Sequence, residues 1–134
     1  MVIAADNQVF TSSPKDKEVF VGESVQFDWD YIKDGTDEVR FGVIVNTTEV
    51  TICKFVLKDN TTIFNNRNTE IENYKDRVEV VSDRRASFRI KNVRMSDRGA
   101  YFCSLVDTDE QGNVMSSVRS LLVKMTVVGK YSVY

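Results

Sequence analysis

Asp97 to Val106 leaves this chain the fewest options. Asp97 and Gly99 are turn formers, and the residues that follow alternate strictly. Tyr101, Cys103 and Leu105 fall on one face of an extended segment, and Phe102, Ser104 and Val106 on the other. Ser24 to Tyr31 repeats the signal, with Val25, Phe27, Trp29 and Tyr31 on one side and Gln26, Asp28 and Asp30 on the other. A strand that is apolar on one face needs a second layer to cover it. No window of useful length carries a helical period, and no internal repeat is present.

Turn signals separate these runs from others. Val9–Thr11 and Glu18–Val21 are short extended pieces with Pro14 between them. That suits an edge strand that breaks and changes sheet, since proline cannot donate to a ladder. Residues 1–7 read as a loose terminus. After the Lys33–Asp37 turn cluster, Val39–Val45 alternates, and Asn46–Glu49 closes a hairpin into Val50–Leu57. Alternation is poor in that last strand. Ile52, Lys54 and Val56 share one face and Cys53, Phe55 and Leu57 the other, so periodicity does not assign its inner side. Thr62–Phe64 is a short strand, Asn65–Asn73 a polar loop, and Arg77–Val81 and Ala86–Ile90 are strands joined by a turn at Ser82–Arg84. Asp107–Asn113 forms a hairpin tip. Val114–Val128 is expected as one long final strand, with Leu121, Val123, Met125 and Val127 inward and Leu122, Lys124 and Thr126 outward. Roughly nine or ten short strands with turns between them predict an all-β sandwich of two antiparallel sheets. The expected organisation is one domain over 1–134 with its core in 8–128.

The formal net charge is -2, with no histidine in the chain. A basic face for nucleic acid is therefore not expected. Paired acids such as Asp28/Asp30 and Asp107/Asp109 alternate outward or lie in the hairpin tip, where solvated carboxylates are the ordinary reading. A weak calcium site of Asp107, Asp109 and Glu110 is the alternative there. Neither a glycine-rich phosphate loop nor a catalytic constellation is present, so the chain reads as no enzyme, with no cofactor and no metal. Asn46-Thr-Thr48 and Asn60-Thr-Thr62 are N-glycosylation acceptor triplets in predicted turns.

The segment from Gly22 to Met125 resembles a V-set immunoglobulin domain. The resemblance rests on Gly22-Glu-Ser-Val-Gln-Phe27, Tyr74-Lys-Asp-Arg77-Val78, Ala86-Ser-Phe-Arg-Ile-Lys-Asn-Val93 and Asp97-Arg-Gly-Ala-Tyr-Phe-Cys103. In that family's lettering 24–31 is strand B, 39–45 strand C, 50–57 strand C′, 100–106 strand F and 114–128 strand G. The resemblance implies that Tyr101 makes a tyrosine corner and that Arg77 and Asp97 form a salt bridge closing the base of the sandwich. It also exposes departures. Trp29 holds the position of the strand B cysteine, so the usual B–F disulfide with Cys103 cannot form. Phe41 stands where the family carries its strand C tryptophan. Strand G lacks a Gly-x-Gly bulge and has Ser116-Ser-Val-Arg-Ser120 instead. An alternative disulfide would join Cys53 to Cys103. In a V-set sheet those residues lie two strands apart, ~9.5 Å, which exceeds the separation a disulfide tolerates and favours two buried thiols.

A V-set domain without the strand B cysteine is similar to the membrane-distal domain of hydroid allorecognition receptors. The resemblance implies a recognition domain at the cell surface, in the extracellular part of a single-pass membrane protein, with no direct membrane contact of its own. The partner it implies is an identical domain on an opposing cell, bound homophilically through the outer face of the GFCC′ sheet. The residues expected on that face are Arg40, Ile44, Phe102, Ser104, Val106 and Leu122, as an apolar patch ringed by charge. Arg40 and Lys54 would draw acids such as Glu49 or Asp107 from the partner. A heterophilic receptor using the same face and a structural spacer in a longer ectodomain are the alternatives.

Overall fold

The structure, a computed structural model, describes residues 9–32, 35–82 and 86–129. The terminus 1–7 and parts of the turns expected at 33–37 and 82–84 lie outside the described residues.

Eleven strands order the described residues: β1 Phe10–Ser12, β2 Lys17–Phe20, β3 Val25–Tyr31, β4 Glu38–Val45, β5 Thr48–Val56, β6 Thr61–Phe64, β7 Val78–Ser82, β8 Ala86–Ile90, β9 Gly99–Thr108, β10 Val114–Arg119 and β11 Val123–Val128. The smaller sheet runs β1-β3-β8-β7, and the larger β2-β11-β9-β4-β5-β6 with β10 also on β9. The β-sandwich expectation is borne out. Pairing is antiparallel except that β2 runs parallel to β11. The Pro14 segment divides one edge between two layers, since β1 pairs with β3 and β2 with β11.

Two departures from simple alternation shape the larger sheet. In β5, Phe41 pairs with Cys53 but the next residue, Gly42, pairs with Thr51, leaving Ile52 as a bulge. A bulge shifts the side-chain phase by one residue. Val50 and Ile52 therefore point inward before it and Cys53 and Phe55 inward after it, while Thr51, Lys54 and Val56 share the outer side with their partners on β4. The second departure corrects the expected long final strand. Arg119 pairs with Ser104 and Val123 with Tyr101, so three residues on one strand oppose two on β9. Ser120 turns inward at this bulge, where its Oγ accepts from Cys103 N at 3.0 Å and donates to Leu121 O at 2.9 Å. Leu121, expected inward, is consequently 62% exposed. The Asn65–Asn73 stretch, expected as loop, contains a 3-10 helix at Thr69–Tyr74. Asn68 caps it by accepting from Glu70 N, and Ile71 anchors it in the core.

The core is aromatic. Trp29 is fully buried and lies against Phe27 (6.0 Å between centroids) and Phe41 (5.9 Å). Phe41 stacks on Phe88 at 5.2 Å and Phe27 on Tyr101 at 5.3 Å. Across the ladder from Trp29 stands Ala86, whose small side chain leaves room for an indole. The indole Nε1–H has no hydrogen-bond partner among the described residues. Cys53 and Cys103 are both free and buried. They flank Phe41 in register on its two neighbouring strands, two strand spacings apart, which is why they do not bond.

At the base, Arg77 and Asp97 meet in a two-point ion pair, Nη1–Oδ2 at 2.8 Å and Nη2–Oδ1 at 2.9 Å. Asp97 is completely buried. Its carboxylate also accepts from Arg94 N, and the guanidinium donates to the carbonyls of Asn73, Lys91 and Asn92. Tyr101 Oη donates to Asp97 O, the expected tyrosine corner, and shares a 2.8 Å hydrogen bond with Tyr74 Oη.

Candidate functional site

β4 and β9 are the central strands of the larger sheet, and their alternation decides what reaches its outer surface. Val39, Phe41 and Val43 point inward. Glu38, Arg40, Gly42 and Ile44 therefore point outward, in register with Val106, Ser104 and Phe102 of β9 on one side and with Val56, Lys54, Thr51 and Glu49 of β5 on the other. Five of the six residues expected on this face thus share its outer side. Leu122, in the bulge before β11, is 45% exposed.

The expectation of an exposed apolar patch is corrected. Phe102 is 3% exposed and Val106 2%, though neither belongs to the core between the sheets. Phe102 lies flat over Gly42. A Cβ on that glycine would stand 2.4 Å from Phe102 Cζ and 2.5 Å from Val50 O, so only glycine permits the approach. The Arg119 guanidinium caps the other side of the ring, 5.9 Å from its centroid. Arg119 is held in turn by Glu49, Nε–Oε2 3.0 Å. Arg40, Ile44 and Ser104 are half-buried.

A second correction concerns Arg40 and Lys54. Both find their acid within the chain: Glu38 receives Arg40 at 2.8 Å and Lys54 at 3.4 Å. Glu49 is committed to Arg119, and Asp107 accepts from Ser116 Oγ at 3.0 Å. The outer face is thus a charged lattice over a thin apolar layer. Sequence reasoning missed Gly42, Glu38 and Arg119, and assigned Glu49 to a partner's cation rather than to Arg119 of its own chain. A lone glycine inside an alternating strand was the available signal for the first.

Two hollows border this lattice. One, about 700 Å³, lies at the hairpin-tip end and is lined by Asp37, Glu38, Lys58, Asp109 and Glu110 among others. The other, about 580 Å³, lies over β5 and β6 and is lined by Arg40, Lys54, Ile63 and Arg67 among others. The tip between β9 and β10 is an ordered turn. Asp109 Oδ1 accepts from Gln111 N and Asn113 N, and these bonds, the Asn113 one foremost, hold its carboxyl below the usual aspartate value. No group of three His, Cys, Asp or Glu side chains able to hold a metal ion occurs among the described residues. Burial pushes the thiol of Cys53 up to about 12 and that of Cys103 further in the same direction, so neither is a nucleophile at neutral pH.

Asn46 and Asn60 are exposed, at the β4–β5 and β5–β6 turns, with φ of 50° and 53°. Both sit at strand-end turns, Asn46 in the same hairpin as Glu49.

A family model described as the immunoglobulin V-set domain matches residues 12–124. No curated protein matches the chain.

Proposed function

The chain belongs to the immunoglobulin V-set family, and from that premise we propose that it recognises a second copy of itself on an opposing cell surface through the outer face of the larger sheet. Domains of this family generally serve cell-surface recognition and adhesion through protein–protein contacts, typically as non-enzymatic extracellular modules. No helix among the described residues is long and apolar enough to cross a membrane.

The observation that carries the reading is the pre-set outer face. Arg40–Glu38–Lys54 and Arg119–Glu49 span four neighbouring strands and fix long side chains that would otherwise lose freedom on docking. Immobilising each such side chain costs about 0.5–1.5 kcal/mol, and here folding has already met that cost. No described element covers this face. Binding through it suits the hydroid allorecognition type of receptor, in which contact between like domains is multiplied across a membrane and weak single contacts suffice. Because the interface of two identical copies is isologous, every residue on it must suit its own counterpart. A glycan on Asn46, in the β4–β5 turn, would sit near the rim of the face and restrict docking angles.

Sedimentation equilibrium over a wide concentration range tests the reading, with Lys54→Glu as the face variant. Lys54 stands on the outer side of β5 with its side chain 34% exposed, so this substitution leaves the fold intact, whereas Phe102→Asp would bury a carboxylate under Arg119 and confuse folding with binding. A concentration-dependent dimer, weakened about tenfold by Lys54→Glu, is the expected outcome. A monomer at near-millimolar concentration would transfer the face to a heterophilic partner.

A further inference from the structure

The two hollows beside the charged lattice carry opposite charge. The hollow at the hairpin-tip end is lined by Asp37, Glu38, Asp109 and Glu110 against the single cation Lys58. The hollow over β5 and β6 is lined by Arg40, Lys54 and Arg67 and by no acid. They adjoin on one face. Glu38 of the first and Arg40 of the second are two residues apart on β4, and Val56 and Lys54 are two apart on β5.

Most of these charges are already committed. Glu38 holds Arg40 and Lys54, Asp37 accepts from Thr108 N at 2.7 Å, and Asp109 braces the tip. Three are left over. Glu110, Lys58 and Arg67 are exposed, and none of these side chains has an ion-pair or hydrogen-bond partner among the described residues. The acidic hollow therefore holds one uncommitted acid beside one uncommitted cation, and the basic hollow holds an uncommitted cation alone.

A face with a negative and a positive hollow side by side complements its own two-fold image. Turned about an axis between the hollows, near Glu38 and Arg40, one copy lays its acidic hollow over the basic hollow of the other, twice over. We propose that this is the docking register of the homophilic contact, with Glu110 of each copy pairing with Arg67 of the other. The inference rests on the homophilic reading and adds the partner's chemistry at two positions. It also gives a route to discrimination between variants of the domain. A copy that differs in sign at either position meets like charge, and like charges facing each other across an interface cost more than a correct pair contributes.

The test is a charge exchange read by sedimentation equilibrium. Samples are the unaltered domain, Glu110→Arg, Arg67→Glu, an equimolar mixture of the two variants, and the double variant, with circular dichroism confirming that each is folded. The unaltered domain is expected to dimerise. Each single variant should weaken self-association about tenfold or more, because both symmetry-related pairs become repulsive. The mixture and the double variant should recover it, because both pairs are then attractive again, one with its signs exchanged in the mixed dimer and both in the double variant. Dimerisation that ignores all these changes overturns this register and leaves the homophilic reading standing. Loss in both single variants without recovery in the mixture overturns the pairing of these two residues. A monomer in every sample removes the homophilic reading itself. Loss of cell binding confined to Arg67→Glu, with sialylated or sulfated glycan beads binding the unaltered domain, would assign the basic hollow to an anionic sugar and overturn the inference.

Discussion

At the base of the sandwich Arg77, Asp97, Tyr101 and Tyr74 join the sheets through hydrogen bonds. At its centre Trp29, Phe41, Phe27 and Phe88 join them through area alone. The base buries a charge pair, and each partner has several bonds: Asp97 accepts from Arg77 twice and from Arg94 N, and Arg77 reaches three carbonyls besides. The centre buries rings and thiols and leaves one polar atom, the Trp29 indole N–H, without a partner among the described residues. An orphaned buried donor costs ~1–3 kcal/mol, so the centre carries a penalty that the base avoids. Burial of a large aromatic contributes roughly 1.5–3 kcal/mol, comparable with the lower part of the ~2–5 kcal/mol a native disulfide supplies. The centre therefore tolerates rearrangement of like for like. The base tolerates the loss of no member, because every group removed strands another.

The largest effects test both regions at once. Trp29→Ala is expected to cost ~3–5 kcal/mol through the cavity it opens. Asp97→Ala is expected to cost a similar ~3–5 kcal/mol by leaving the buried guanidinium uncompensated. Urea unfolding measures both. Conservative changes then separate the regions. Asp97→Asn keeps the shape but loses the charge, and should still cost about 2–3 kcal/mol. Trp29→Phe removes the orphaned donor along with part of the ring, so the two changes oppose each other and the net loss should stay below about 1.5 kcal/mol. Equal losses in these two variants would erase the distinction between base and centre.

Alkaline titration sharpens it further. Burial raises the Cys53 thiol from 9.0 to about 12, and the Tyr74 phenol, mainly through burial, from 10.0 to about 12. In each case the folded state holds its proton more tightly than the unfolded chain. The associated stability is fully present below the unfolded value and is lost as pH rises toward the folded one. Stability should therefore begin to fall near pH 9 through the centre, and from pH 10 through the base as well. Replacing both cysteines by alanine should move the onset up toward pH 10, read by fluorescence or circular dichroism. The smallest expected effect is none at all. Adding a thiol reductant should leave the melting temperature unchanged, since both cysteines are free.

Much of this was legible in the residues. Strict alternation placed β3, β4 and β9, and the resemblance to V-set domains pointed to Tyr101 and to the pair of Arg77 with Asp97. What escaped had physical causes outside periodicity. The bulge at Ile52 shifts the phase within β5, so its two halves read as opposite faces and cancel. Ser120 bends the final strand because its hydroxyl serves the backbone of β9, a demand that apolar patterning does not register. Phe102 and Val106 were placed on the correct side of the sheet yet taken as exposed. What buries Phe102 is a long cation from another strand lying over the ring, and Gly42 beneath it. The self-sufficiency of Arg40 and Lys54 escaped for a similar reason. Glu38 starts β4, but it fell between the expected turn cluster at 33–37 and the expected strand at 39–45.

The substitution at Trp29 also has a mechanical meaning. A bond from strand B to strand F would lock the intervening chain against extension, however hard the two ends were drawn apart. With no such bond, force that breaks the shear contact between β2 and β11 can draw out the whole chain. The stretch from Trp29 to Cys103 alone would then pay out roughly 250 Å at ~3.4 Å per residue. A tether built this way lengthens under load and can recoil when released, with no covalent step to undo.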